Sequence, residues 1–403
     1  MVLLASFLVL FLRDLGSLRN YHGDEGYWCS VGNTAFQLFF VKPDFSHPFW
    51  TSQADTDSLT WVSNTTRNPK VSTFLIGASL HLLGYAEYRE ELHFDFKKPL
   101  AWNLERGQVL PPGVLYAARL PMALSAVATC LLLFFVGNRL AGELCGALSS
   151  ILLALNPAWH SSATRAMIDC PAVMFSIATL LCALRFSERS AARGLSWSIL
   201  AGVAAGLAAG SKLNGLLMAP FLIGAFTLQG IRDRRIGLNT ASALASVLVT
   251  ASVFVALHPL LWHNTLENMR HTLHLGVEVA DFTRVSWPKA ALTNLADKAL
   301  FVVYRSFFTH AVLTRSMGLP LDLPLCAVGL ALLAWHARTS NTICQVLWYT
   351  GIVTAGTWLW IPVDWDRYYL PMLPLAAVIE GYALASGFNW ARENVIHANF
   401  CHH

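Results

Sequence analysis

The chain has 403 residues, 55% apolar and only 13% charged, with 23 Phe, 14 Trp and a formal net charge of +4. Soluble domains carry about 25% charged residues, so the composition excludes an ordinary soluble enzyme and a disordered chain. The small net charge gives no case for a nucleic-acid partner. What remains is an all-α polytopic membrane protein, in which the few charges carry information because charge inside a bilayer is costly.

A crossing needs roughly 20 apolar residues, and the runs that approach this length give about 10 transmembrane helices. In chain order they are Val2–Leu12, Leu115–Val136, Ala141–Leu155, Pro171–Phe186, Trp197–Ala209, Leu216–Leu228, Ser242–Trp262, Leu319–Trp335, Ile343–Ile361 and Tyr369–Ala385. The first run is short. It lacks the basic flank and small-residue cleavage site of a signal peptide, and it reads as a truncated helix or one that continues through Arg13 to about Leu18. The eight cysteines (Cys29, Cys130, Cys145, Cys170, Cys182, Cys326, Cys344 and Cys401) fall mostly within apolar runs and form no CxxC pair. They read as small hydrophobes.

Alternate loops are rich in arginine: Arg139, then Arg185, Arg189 and Arg193, then Arg232, Arg234 and Arg235, then Arg338, with Arg392 in the C-terminal tail. The positive-inside rule makes these loops and both termini cytoplasmic. The opposite, exoplasmic side receives residues 13–114, residues 263–318 and the turn Asp364–Arg367. The first of these is long for a connection. Its apolar stretches Trp28–Phe40 and Val71–Tyr85 are too short to span and suit interfacial helices. Between them lies the sequon Asn64-Thr65-Thr66. No Walker A loop and no G-x-G-x-x-G motif is present, so a nucleotide-bearing substrate is not indicated.

The chemistry-bearing residues gather in the exoplasmic segments. Asp24-Glu25 sits between Gly23 and Gly26, a placement that suits a turn at a helix start. An Asp there can take a proton from a hydroxyl, or it can simply cap the helix. Arg165 and Asp169 stand at i and i+4, the spacing of a helical ion pair. Lys70, Arg119, Lys212 and Arg367 recur at the exoplasmic ends of spans. Each alone can be a snorkelling cation; together they can hold a phosphate at the membrane surface. Tyr368 and Tyr369 mark the headgroup level beside Arg367. His258, His263, His271 and His274 cluster near the seventh span without the acidic partners of a zinc site, and no metal or other cofactor is indicated.

Taken together, these motifs resemble the GT-C superfamily of membrane glycosyltransferases, and within it glycosyltransferase family 39, which contains protein O-mannosyltransferases and the lipid A aminoarabinose transferase. The carrying residues are His22-Gly-Asp24-Glu25-Gly-Tyr27, Arg67-Asn68-Pro69-Lys70 before an apolar stretch, Ala118-Arg119-Leu120-Pro121, Arg165 with Asp169, Gly210-Ser-Lys212 and Arg367-Tyr368-Tyr369-Leu370-Pro371. They occur in the family's order. Two departures are Asn68 and Lys70, where the family has His and Pro. The 263–318 loop is too short for the soluble domain that eukaryotic members carry.

The resemblance implies a GT-C helical bundle over residues 1–390, with 13–114 as a first exoplasmic loop of interfacial helices and 391–403 as a cytoplasmic tail. It implies an inverting transfer of a sugar, mannose by family habit, from a polyprenyl- or dolichyl-phosphate donor to a Ser/Thr hydroxyl of a protein, or alternatively to a lipid or glycolipid. Asp24 and Glu25 would be the catalytic pair. Lys70, Arg119, Arg165, Asp169, Lys212, Arg367 and Tyr368 would bind the donor's phosphate or sugar. The membrane would be the cell membrane in a prokaryote and the endoplasmic reticulum in a eukaryote. A transporter or lipid flippase is the rival from another class. It is disfavoured because the distinctive charges lie at one rim and no internal repeat is visible.

Overall fold

The computed structural model describes residues 1–51, 68–88, 94–187 and 191–400. The sequon at Asn64, together with Arg67, Arg189 and Cys401, lies outside the described residues. Among the described residues the chain is helical, with a single isolated antiparallel bridge between Ala291 and Val363 and no strand.

The main helices are α1 (Val2–Leu12), α2 (Asp24–Phe36), α3 (Val71–Leu82), α4 (Pro112–Leu155), α5 (Pro157–Ala163), α6 (Asp169–Ser187), α7 (Ala191–Ser211), α8 (Met218–Arg232), α9 (Ile236–Ala256), α10 (Thr265–Ser286), α11 (Leu295–Tyr304), α12 (Val312–Met317), α13 (Asp322–His336), α14 (Asn341–Trp360) and α15 (Leu373–Phe400). Among the described residues, six helical segments are long and apolar enough to cross a membrane: Pro112–Leu155, Asp169–Ser187, Gly194–Ser211, Leu213–Arg232, Ile236–Ala256 and Leu370–Glu393. Val2–Leu12, Val71–Leu82 and Asp322–His336 are shorter apolar helices. Each span read from the sequence has a helix at its place, but length and composition do not establish ten crossings.

One boundary differs from the sequence reading. The first helix does not continue toward Leu18. Arg13 is extended and Asp14 has φ +59°, so the helix stops at Leu12. The second and third spans, both carried by α4, are two helices separated by a break at Ala141 and Gly142, as the sequence reading has them. Gly142 has φ +82°, a conformation that costs glycine little and other residues more. The break folds the chain back until Gly137 and Gly146 touch: a Cβ on Gly146 would lie 2.5 Å from the Phe134 carbonyl oxygen.

Inside a bilayer, close packing holds helices together more than hydrophobic burial does, and small residues permit it. The α7–α9 contact follows this rule. Gly202 and Gly206 face α9, where an added Cβ would lie 2.5 Å from the Ser246 carbonyl oxygen and 2.6 Å from Val253 Cβ, respectively. Thr250 Oγ1 donates to the Gly202 carbonyl at 3.1 Å.

The two stretches read as interfacial helices, α2 and α3, cross at an equally close contact. A Cβ on Gly77 would lie 2.1 Å from the Gly32 carbonyl oxygen. These helices share a separate apolar cluster, including Trp28, Cys29, Ile76 and Leu80, with Leu115 and Ala118 of α4 and with Ala166–Ile168. The cluster fixes the Asp24-Glu25 turn against the bundle. The ends of α1, α7 and α14 and the starts of α2, α4, α6 and α15 meet at this rim. At the other end, Arg232 bonds to Asn341 and to the Ala337 carbonyl, joining two of the arginine-rich loops.

Candidate functional site

The adjacent acids Asp24 and Glu25 open α2 and point into different environments, because neighbouring helical positions diverge. Glu25 is fully buried and Arg119 is 1% exposed. Arg119 donates Nε–H to Glu25 Oε2 at 2.7 Å and Nη2–H to Oε1 at 2.8 Å. The same carboxylate accepts the His22 and Ala166 backbone N–H groups, both at 2.8 Å. Arg119 Nη1 completes the knot by donating to the Leu15 and Ser17 carbonyls. The sequence reading put Glu25 beside an acceptor and Arg119 beside a phosphate. The geometry instead has them saturate each other, tying the end of α1, the start of α2, α4 and the α5–α6 connection together.

Asp24 faces the opposite way, with its side chain 22% exposed. Arg367 Nη1 donates to Asp24 Oδ2 at 3.4 Å. The Asp24 backbone N–H donates to His22 Nδ1 at 3.2 Å, and this ring nitrogen lies 3.7 Å from Asp24 Oδ2. Burial of His22 lowers its pKa, opposed by Asp24 and reinforced by Arg165 and Arg367, so its imidazole stays neutral over a wider pH range.

Arg165 and Asp169 do not form the helical pair that their spacing suggests. The helix α5 ends at Ala163 and α6 begins at Asp169, so the segment between them is irregular. Arg165 Nε donates to the Asn20 carbonyl at 3.0 Å. Asp169 pairs with Lys212 Nζ at 2.5 Å. Lys212 sits where α7 stops, and its ammonium lies 5.4 Å from the centre of the Tyr368 ring. The Arg367 guanidinium lies 5.5 Å from that ring and 5.1 Å from the Trp365 ring, and Trp365 itself stacks on Tyr368 at 6.1 Å. Burial opposes the charge on Arg367, but Tyr368, Asp169 and Asp24 together raise its pKa, and its Nε–H has no hydrogen-bond acceptor. Asp24, Arg367, Tyr368, Lys212 and Asp169 therefore form one continuous group.

Lys70 stands at the start of α3, 1% exposed, and donates to the Asn68 carbonyl with its ammonium 5.9 Å from the Phe49 ring. Burial lowers its pKa to about 7. Ser72 Oγ donates to the Ile168 carbonyl, and Val71 packs on Gly210. These contacts hold the Asn68–Lys70 turn next to the Asp169–Lys212 pair.

A small cleft of about 50 Å³ opens beside Asp169, Lys212 and Tyr368 and runs between α6, α8 and α14 past Val173, Met218, Tyr349 and Val353. The lining places a charged mouth on a largely apolar shaft. Among the described residues no group of His, Cys, Asp and Glu has the geometry to hold a metal ion. His271 and His274 each face a glutamate on their own helix.

The sequence reading missed a second network behind this site. Arg305, in the turn after α11, donates Nε–H to Asp364 Oδ1 at 2.7 Å and Nη2–H to the other carboxylate oxygen. It also lies 3.6 Å from Asp366. His310 Nε2 is 3.0 Å from Asp366, and Tyr369 donates its hydroxyl to Asp364 at 3.0 Å. The hydrogen bond to Asp364 raises the Arg305 pKa, and that from His310 lowers the Asp366 pKa. The only sequence signal was the acid-rich turn Asp364–Arg367; its partners lie about sixty residues upstream.

The fold resembles that of two solved membrane proteins. One is the archaeal oligosaccharyltransferase AglB from Archaeoglobus fulgidus, in complex with an inhibitory peptide and a dolichol-phosphate, at TM-score 0.62 and 14% identity over 99% of this chain and 51% of that one. The other is ArnT from Cupriavidus metallidurans bound to undecaprenyl phosphate, at TM-score 0.59 and 16% identity over 98% of this chain and 63% of that one. The chain thus spans about half the length of AglB, and the bundle is a GT-C fold. Comparison with curated proteins returns no match. The family model for dolichyl-phosphate-mannose-protein mannosyltransferases matches residues 68–275, a stretch that holds Lys70, Arg119, Arg165, Asp169 and Lys212. Because that match covers more than half of the chain, the chain belongs to the dolichyl-phosphate-mannose-protein mannosyltransferase family.

Proposed function

We propose that the chain transfers a sugar, mannose in the first instance, from a polyprenyl-phosphate donor to the hydroxyl of a protein Ser or Thr on the exoplasmic side of its membrane. The observation that carries this reading is the group formed by Asp24, Arg367, Tyr368, Lys212 and Asp169, the last three of which line an apolar cleft. Membership of the family supports the donor class. So does the presence of dolichol-phosphate or undecaprenyl phosphate in the two fold relatives.

The chemistry follows from the placement. Asp24 accepts the proton of the acceptor hydroxyl as that oxygen forms its bond to the anomeric carbon. The bond from this carbon to the phosphate oxygen breaks, and the polyprenyl phosphate leaves with the electron pair, inverting the configuration. Phosphate needs no general acid, but its growing negative charge needs fixed cations. Such preorganised charge commonly supplies more of an enzyme's rate enhancement than any other single effect, and Arg367 and Lys212 are placed to provide it. Asp169 orients Lys212. Tyr368 offers a platform between the two cations. Glu25, Arg119 and Arg165 hold the backbone that presents Asp24, and Lys70 buttresses the Asp169–Lys212 side. The active domain is taken as residues 1–390 and the remainder as a cytoplasmic tail.

The test is incubation of the purified protein with radiolabelled polyprenyl-phosphate mannose and membrane extract in detergent, where no gradient can drive transport. Label in protein, released by alkaline β-elimination, supports the reading. Label in lipid moves the acceptor to the lipid class, and no transfer with any polyprenyl-phosphate sugar overturns it.

A further inference from the structure

We infer that Arg305 is a positioning residue that keeps two carboxylates off Arg367 and so leaves its guanidinium available to an anionic substrate. The inference rests on the reading of Arg367 as a phosphate-binding residue.

Arg367 belongs to a turn that carries Asp364 and Asp366 within three residues of it. A free Asp–Arg neighbourhood of this kind tends to collapse into internal ion pairs, which would neutralise the guanidinium before a ligand arrives. Here both acids are drawn away by other elements. Arg305 takes Asp364 with two hydrogen bonds and stands 3.6 Å from Asp366. His310 takes Asp366 at 3.0 Å, and Asn156 Nδ2 donates to the His310 carbonyl at 2.6 Å, fixing that residue to the bundle. The backbone is held in the same direction. Leu292 N–H donates to the Pro362 carbonyl and Asp364 N–H to the Ala290 carbonyl, while Trp287 packs edge-on against Trp365.

By contrast, Arg367 meets Asp24 at a long 3.4 Å, is flanked by the faces of Trp365 and Tyr368, hydrogen-bonds with Tyr368, and keeps an Nε–H without an acceptor. The guanidinium thus keeps an edge open to an anion, and Arg305 is the residue that holds Asp364 away from it. The remaining charged groups facing Asp366 are His310 and Arg165; neither reaches Asp364 with a bidentate grip.

The experiment compares wild type, Arg305→Met, Arg305→Lys, and the double variant Arg305→Met/Asp364→Asn for binding of a short-chain polyprenyl phosphate in detergent, with thermal stability as a folding control. Arg305→Met should weaken binding at least tenfold, Arg305→Lys should keep most of it, and Asp364→Asn in the Met background should restore it. Loss that the second substitution fails to restore would mean that Arg305 only holds the turn in place, and would overturn the inference, as would wild-type affinity in Arg305→Met. If wild type itself fails to bind, the donor reading fails. The inference is then judged by the rate at which phenylglyoxal modifies Arg367, located by peptide mass spectrometry. Slower reaction in Arg305→Met and recovery in the double variant support it; equal rates overturn it.

Discussion

The two adjacent acids should separate cleanly under mutation. Glu25→Gln keeps the side-chain size and removes the charge. In the folded protein this carboxylate is fully buried and accepts from Arg119 Nε, Arg119 Nη2, His22 N–H and Ala166 N–H at 2.7–2.8 Å. An amide offers one acceptor oxygen in place of two, so whichever way the Gln is turned, its NH2 faces donors. Arg119, 1% exposed, is left as a buried cation without its counter-charge. Removing one partner of such a pair costs about 3–5 kcal/mol, a large share of a typical folding free energy.

The measurement is thermal unfolding of the detergent-solubilised protein followed by Trp fluorescence, with Asp24→Asn as the control. Asp24 is partly exposed and its ion pair is long, so that variant should unfold near the wild-type temperature, since exposed pairs contribute about 0–1 kcal/mol. A Glu25→Gln protein that unfolds at the wild-type temperature would refute the assignment of Glu25 to the scaffold. A second check is the Glu25→Leu/Arg119→Leu double variant, which should be less destabilised than the two single losses combined, because an apolar replacement leaves no stranded charge.

Asp24→Asn should lower transfer by about 10²–10⁴-fold, the usual contribution of a positioned base, with donor binding retained; near-full turnover in proteoliposomes would remove Asp24 from the chemistry. Gly77→Ala should disrupt the α2–α3 crossing, because its Cβ would sit 2.1 Å from a backbone oxygen. The penalty should be at least the about 1–3 kcal/mol of an overpacked site, read as a lower unfolding temperature. Lys70 has a folded pKa of about 7 against 10.5 in the unfolded chain. The unfolded state therefore binds more protons between those values, and stability should rise with pH across that window by at most about 1.4 kcal/mol per pH unit. Lys70→Met should remove that part of the slope in unfolding measurements between pH 7 and pH 9.

Much of the protein was legible without coordinates. The low charge and long apolar runs require helices, because a backbone in lipid must satisfy its own hydrogen bonds. The positions of Asp24, Arg165, Asp169, Lys212 and Arg367 could be read as one rim because helix ends alternate between two faces. Pairing was not legible. Asp169 at i+4 from Arg165 suggests a helical ion pair, yet a break between α5 and α6 separates them and α7 supplies Lys212 instead. Asp24 and Glu25 are neighbours in sequence with opposite surroundings, one partly exposed beside Arg367 and one sealed against Arg119. The grip of Arg305 on Asp364 joins residues fifty-nine positions apart. Sequence alone determined where charge is affordable, since that depends on local composition and the bilayer. Only tertiary packing decided which charge faces which, because ion pairs form between elements whose approach is set by the close contacts of residues such as Gly32, Gly77 and Gly210.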